Sequence, residues 1–295
     1  MRTVPDHPQV RPAATVLLLR FGEAPVEILM LRRSGSSRFA ADAWVFPGGV
    51  VDESDRRLPS GLWEGIAPAA LTERFAADEA TVLGFHVTAV RETFEEAGVL
   101  LARPRNAEAE AEAEAEAEAE AEGDSGGRRR SEPGLERRQL RAGLAAGRID
   151  LAEWLTEDRM VLDLGCLTYH SRWITPVAQL RRYDTCFFVA RAPAGQIAAH
   201  DRAETTGQRW LSATAALDEH EAGRLQLMHP TVRTLEALAV HDSVDAVITA
   251  AAAQAQVRSV LPYAELDADG RVVRIRDPDD DITVGAVGDD DEVRG

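Results

Sequence analysis

The chain has 295 residues, 45% of them hydrophobic, and a formal charge of −17, so it is long enough to bury a sizeable core. Its longest apolar run, ATVLLLR, is far too short to span a bilayer, and the N-terminus carries no charged-then-apolar leader with a cleavage site; neither a membrane partner nor secretion is expected. The two cysteines, Cys166 and Cys186, lie in apolar stretches and predict reduced core residues of a cytoplasmic protein, not a disulfide.

The acidity is local. The Ala-Glu run 107–122 carries eight glutamates and the stretch 277–292 carries eight more acids, so the −17 falls to −1 once these sixteen are set aside. Every basic residue is an arginine, and the arginines are scattered apart from GGRRRSEP beside the low-complexity run. That distribution predicts no nucleic-acid partner.

Taken in chain order, AATVLLLR (13–20) and VEILMLRR (26–33) predict two strands joined by the FGEAP turn, preceded by an N-terminal arm over 1–12. AWVFP (43–47) predicts a third strand, ending in a tight Gly48-Gly49 turn. An irregular segment follows with a helix at about 67–80, and then GFHVTAVRETFEEAGVLL (84–101), whose Phe85, Val90, Phe94 and Val99 recur at near-helical spacing up to Gly98. As a helix, the Ala-Glu run would set like charges at i,i+4, so a disordered or frayed insert is expected over about 103–134. LERRQLRAGLAAG and DLAEWLTED predict helices, 166–176 and 184–191 strands, and QRWLS a shorter strand. Helices are expected at ATAALDEHEAG, at PTVRTLEALAVH and in the Ala-rich stretch to about 257, with a weakly ordered acidic tail over 261–295. The whole predicts one α/β domain over 13–260 with a mixed sheet and insertions.

The chemistry concentrates in RETFEEAG (91–98). On a helix Glu92, Glu95 and Glu96 fall on one side of one turn. Three such carboxylates are either a solvated acidic face or a site for a hard divalent cation, which takes oxygen ligands. RETFEEAGV resembles the second half of the Nudix box, Gly-x5-Glu-x7-Arg-Glu-U-x-Glu-Glu-x-Gly-U, with U an aliphatic residue; Thr93 departs at a U position. FPGG (46–49) resembles the approach to its first half. Gly49 to Arg91 spans 42 positions where the pattern has 14, so 28 residues stand inside the box, mostly within about 52–84.

A split box is itself similar to the acyl-coenzyme A diphosphatase branch of that family. Leu29, Arg33, Ser34 and Arg38 in register with FPGG resemble that branch's coenzyme A signature, with Leu31 in place of its Thr and Asp42 in place of its Gly. HSRWITPVAQLRRYDTCFFVA (170–190) resembles a second stretch of the branch. The resemblance implies a Nudix-type α/β/α sandwich and a hydrolase using Mg²⁺ or Mn²⁺ on the diphosphate of coenzyme A or its acyl thioesters. Another nucleoside diphosphate derivative, such as ADP-ribose, a dinucleotide or a nucleotide sugar, and a non-catalytic Nudix binding module are the alternatives. It further implies that Glu92, Glu95, Glu96 and Asp55 hold metal, with Asp52 or Glu53 able to substitute for Asp55. Arg91 would orient a carboxylate, and Glu95, Glu96 and Glu204 would serve catalysis, Glu204 as the base with Asp201 behind it. Gly48 and Gly49 would admit the diphosphate, and Arg33 and Arg38 would bind substrate phosphate. Read on their own, Glu204 is equally a surface glutamate, and Arg33 and Arg38 equally flank a strand. Trp173, Trp210, Phe187 and Phe188 read as core, and His170, His200 and His229 have no metal-ligand spacing. Whether the chain works as a monomer or a homodimer is left open.

Overall fold

A computed structural model of the chain describes residues 10–35, 40–105, 133–177, 179, 181–254, 257, 259–266 and 272–278. Arg38, the Ala-Glu run and the acidic tail beyond residue 278 lie outside the described residues.

The centre is a mixed sheet built on two long apolar strands. β1 (Val10–Arg20) pairs in parallel with β9 (Arg182–Arg191), from Val10 opposite Arg182 to Leu19 opposite Arg191. β1 also pairs antiparallel with β2 (Glu27–Arg33), and β2 with β10 (Thr205–Leu211). On the other side β9 pairs antiparallel with β8 (Thr168–Ile174), which takes β11 (Ser259–Val260) in parallel. Two short strands branch off: β3 (Trp44–Val45) on β2, and β4 (Gly48–Val50) on β1.

Side chains along β1 alternate between two cores, as the strand's period of two requires. Ala14, Val16 and Leu18 join Phe85, Val90 and Phe94 on one face. Leu17 and Leu19 join Ala216, Leu235 and Val247 on the other. The first face is covered by α2 (Glu79–Ala97), and the second by α5 (Ala213–Glu221), α6 (His229–Leu238) and α7 (Val244–Ala252). Helices on both faces of one sheet make the α/β/α sandwich that the sequence led one to expect.

Helix boundaries follow local chemistry. The Asp78 carboxylate accepts from Thr81 N and starts α2 five residues before the expected point; Gly98, at φ 69°, ends it. The helix expected at 67–80 is therefore two: α1 (Pro68–Phe75) and the first turn of α2. The Gly48-Gly49 turn is in fact part of β4, with Gly49 opposite Ala14 and Gly48 opposite Thr15. Sequence periodicity also missed a small second sheet, β5 (Trp63–Glu64), β7 (Met160–Asp163) and β6 (Ala102–Pro104). It joins the residues inserted in the box to those that follow α2. α3 (Pro133–Ala145) and α4 (Leu151–Glu157) pack beside it, with Trp154 stacked on Phe94 at 5.7 Å. The expected tail contains a hairpin, β12 (Tyr263–Leu266) with β13 (Val272–Arg276), and Asp277 beyond it is buried against His229 and Arg233.

Phe187 and Phe188 are core residues, and so is Trp173, whose indole meets His229 edge-on. Trp210 is half-buried under the Arg20 guanidinium, 4.2 Å from its ring centre. Cys166 and Cys186 are both free thiols, and burial pushes each upward in pKa. Among the described residues no helix is long and apolar enough to cross a membrane.

Candidate active site

The two halves of the split motif meet. Gly48 N donates to Glu96 Oε2 at 3.0 Å, and Arg91 Nη2 donates to the Val50 carbonyl at 3.2 Å. The residues between them fold away as a 3-10 turn (Asp55–Arg57), β5 and α1. The insertion is not a loose loop: Phe75 at the end of α1 stacks on Tyr169 at 4.1 Å, and Arg172 reaches from β8 to the Phe75 carbonyl.

Arg91 is the hub. Its Nε and Nη2 hold the two Asp55 oxygens at 3.0 and 2.8 Å, while Nη1 donates to Glu92 Oε1 at 2.9 Å and Glu95 Oε2 at 3.4 Å. Burial alone would favour losing its proton, but the Asp55 hydrogen bonds and the charges of Glu92, Asp55 and Glu95 hold its pKa above the ordinary value. Asp55 is 1% exposed. Its Oδ2 accepts also from Thr88 Oγ1 at 2.7 Å and Asp52 N at 3.0 Å. Both oxygens are thus engaged inside the protein, where Asp55 anchors Arg91. Asp52, by contrast, is largely exposed at the site's edge, 3.6 Å from Arg91 Nη2.

Asp55, Glu92 and Glu95 thus share the one guanidinium of Arg91, so the cluster carries more carboxylates than hydrogen-bonded cations. Burial raises Glu95 to about 7, against Arg91 and with the help of Glu92. It also raises Glu92, against Arg91. Glu96 rises well above the ordinary carboxylate range through burial and the charge of Glu92, opposed by the Gly48 N–H and Arg33. A buried, all-oxygen set short of positive charge is the donor chemistry that suits a hard divalent ion. As they stand, no three Asp, Glu, His or Cys side chains among the described residues enclose an ion. Glu92 and Glu95 lean to Arg91 Nη1 while Glu96 reaches to Gly48.

The two glycines also have a packing reason of their own. A Cβ on Gly49 would lie 2.1 Å from Glu92 Oε1, and one on Gly48 would lie 2.4 Å from the Ala14 carbonyl. They make room for the box helix and the neighbouring strand. Thr93, off the pattern at an aliphatic position, is buried and donates its hydroxyl to the Ala89 carbonyl at 2.7 Å.

Arg33 and Glu204 border this cluster. Ser34 N donates to the Glu204 carbonyl at 2.8 Å, and the charges of Arg33 and Glu204 both act on Glu96, in opposite senses. Arg33 Nε is buried without a hydrogen-bond partner among the described residues, whereas Glu204 is exposed. Asp201 closes a turn, accepting from Glu204 N, Thr205 N and Thr205 Oγ1; these bonds outweigh burial and hold its pKa low. Its carboxylate is therefore committed to the turn. Sequence reasoning missed Thr88, one helical turn before Arg91, and Arg141, whose guanidinium meets the Glu95 carbonyl. Only the spacing of Thr88 could have pointed to it; nothing local marks Arg141 among its neighbouring arginines.

The fold and this cluster define a Nudix-type domain. Residues 67–238 match the family model of the NUDT19 Nudix domain, and the chain belongs to that family. It is 26% identical over 262 residues to the acyl-coenzyme A diphosphatase NUDT19 of Xenopus laevis, covering 80% of this chain and 66% of that protein. With the human acyl-coenzyme A diphosphatase NUDT19 it shares 30% identity over 243 residues, or 72% of this chain and 60% of that one. The chain thus spans slightly under two thirds of the length of these relatives. A crystal structure of a Nudix hydrolase from Alicyclobacillus acidocaldarius superposes with a TM-score of 0.63 at 26% identity, covering 82% of this chain and 96% of the other.

Proposed function

We propose that the protein is a divalent-metal-dependent diphosphatase that cleaves coenzyme A or acyl-coenzyme A to adenosine 3',5'-bisphosphate and (acyl-)phosphopantetheine. The observation that carries this reading is the closure of the split box, with Gly48 N on Glu96 and Arg91 on Val50 across the insertion. An intact Arg91 with Glu92, Glu95 and Glu96 argues against a module that only binds. The relatives named for acyl-coenzyme A diphosphatase activity support the substrate class. So does Asp42, which replaces the signature glycine yet keeps a φ of 60°, the left-handed backbone a glycine would favour.

In this reading Glu92, Glu95 and Glu96 hold Mg²⁺ or Mn²⁺, which supplies charge neutralisation at the diphosphate. Arg91, locked by Asp55, keeps Glu92 and Glu95 in place. Glu204, exposed beside the cluster, takes the proton of the attacking water. Arg33 offers its unpartnered Nε to a substrate phosphate, for which a guanidinium is well shaped. Arg38 is assigned the same task on the signature alone.

The test is chromatography of coenzyme A incubated with the protein and Mg²⁺ or Mn²⁺, with EDTA and Glu96→Gln controls. Metal-dependent adenosine 3',5'-bisphosphate, lost in both controls, is the expected outcome. Cleavage of ADP-ribose with coenzyme A and its thioesters left intact would overturn the substrate assignment, and no cleavage of any diphosphate would overturn the enzyme.

A further inference from the structure

Arg141 has no counterpart in the box. It comes from α3, which follows the Ala-Glu run in the chain, and it is 7% exposed. Its Nε and Nη2 both donate to the Glu95 carbonyl, at 3.2 and 2.9 Å. That carbonyl is one of the last four of α2, which no amide of the helix can satisfy. Two of the other three are met by backbone: Phe94 O by Gly98 N at 2.9 Å, and Ala97 O by Ala199 N at 2.8 Å. A guanidinium at this end also opposes the negative pole of the helix. The space is tailored to it, since a Cβ on Gly98 would lie 2.7 Å from Arg141 Nη1.

No carboxylate hydrogen-bonds to Arg141 among the described residues; burial lowers its pKa, and the counter-charge acting on it is that of Asp201. Asp201 is the residue that closes the turn before β10 and so presents Glu204. The cation therefore caps the backbone of one cluster carboxylate. Its neighbour Arg137 reinforces the brace, lying 5.4 Å over the Phe94 ring and donating to Gln196 Oε1 at 2.6 Å. Gln196 in turn exchanges hydrogen bonds with both backbone groups of Leu100, at 2.9 and 2.8 Å.

We infer that Arg141 is a positioning residue of the active site, holding the last turn of α2 so that Glu95 and Glu96 stay aligned. It touches neither substrate nor metal. The inference rests on the diphosphatase reading for its catalytic consequence, but its structural half stands alone.

The experiment uses the full chain as wild type, Arg141→Met and Arg141→Lys. Three readouts are taken: hydrogen exchange of the peptide covering 94–100, Mn²⁺ affinity by titration calorimetry, and kcat and KM for coenzyme A. In Arg141→Met, faster exchange confined to 94–100 is expected, with Mn²⁺ affinity and kcat each down by ~10-fold or more and KM little changed. Arg141→Lys, which keeps the charge but not the fork, falls between the two. A folded Arg141→Met with wild-type exchange and wild-type Mn²⁺ affinity would overturn the inference. A wild type that binds no Mn²⁺ sinks the diphosphatase reading, while the exchange data still decide whether Arg141 holds the turn. If Arg141→Met is poorly folded, Arg141→Lys carries the test, and wild-type values of all three readouts there count against the proposal.

Discussion

Gly48 and Gly49 stand side by side yet fail for different reasons when given a side chain. At Gly49 the added methyl meets a carboxylate that can swing away, whereas at Gly48 it meets the backbone of β1. Gly49→Ala should therefore fold normally and lose turnover by ~10-fold or more as Glu92 is displaced. Gly48→Ala should lose stability by about 1–3 kcal/mol, as an overpacked strand does. Equal thermal stability of the two variants would contradict this division. Asp55→Asn should destabilise by about 3 kcal/mol in urea unfolding, because it leaves Arg91 buried and half-paired. It should nonetheless keep Mn²⁺ binding in the protein that remains folded; complete loss would mark Asp55 as a ligand. Much at this scale was legible beforehand: Arg91, Glu92, Glu95 and Glu96 are spaced so that helix geometry alone gathers them. The job of Asp55 was not, because counting to it says nothing of Thr88 and Arg91, whose bonds to it close over 33 and 36 residues.

The long elements announced themselves through apolar periodicity, and β1, β2, β9 and α2 lie close to where it put them. The short ones did not. β5, β6 and β7 have between two and four residues each, too few for a period to register, and are strands because each finds a partner distant in sequence. The insertion in the box owes its order to the same cause. Tripling the span between the two halves costs only about 1 kcal/mol of loop-closure entropy, which burying one large side chain more than offsets. Phe75, 1% exposed and stacked against Tyr169 and Phe85, is that side chain. Phe75→Ala should cost about 3–5 kcal/mol, measured by chemical denaturation. The Ala-Glu run should behave in the opposite way: excising 107–130 is expected to leave coenzyme A cleavage and melting temperature unchanged. A large loss of cleavage would mean the run takes part in the site.

For the molecule as a whole, acid is the informative stress. His86 on α2 is buried between Phe75 and Phe188, donates Nδ1–H to the Val82 carbonyl, and has its pKa lowered to about 4 by burial. The unfolded chain takes up that proton near 6.5, so the stabilisation is complete above that pH and fades as the pH falls towards 4. By linkage this one group should account for about 3 kcal/mol of the loss. His86→Gln should lose less stability than the wild type between pH 7 and pH 4.5; parallel curves would show that His86 is protonated in the fold.

The pairing of β1 with β9 has a consequence for how the protein is made. Val10 lies opposite Arg182, so once β1 has left the ribosome 172 more residues must follow before this neighbour exists. At ordinary synthesis rates that is on the order of ten to thirty seconds, during which β1 has β2, β4 and α2 to pack against but lacks the partner along its other edge. Nascent chains stalled near residue 180 should be cut readily by protease within β1, and chains stalled beyond residue 250 should resist, because only then has β9 emerged. The strand at the heart of the finished sheet is thus the nascent protein's longest-lived exposure, and the segment for which a ribosome-bound chaperone would matter most.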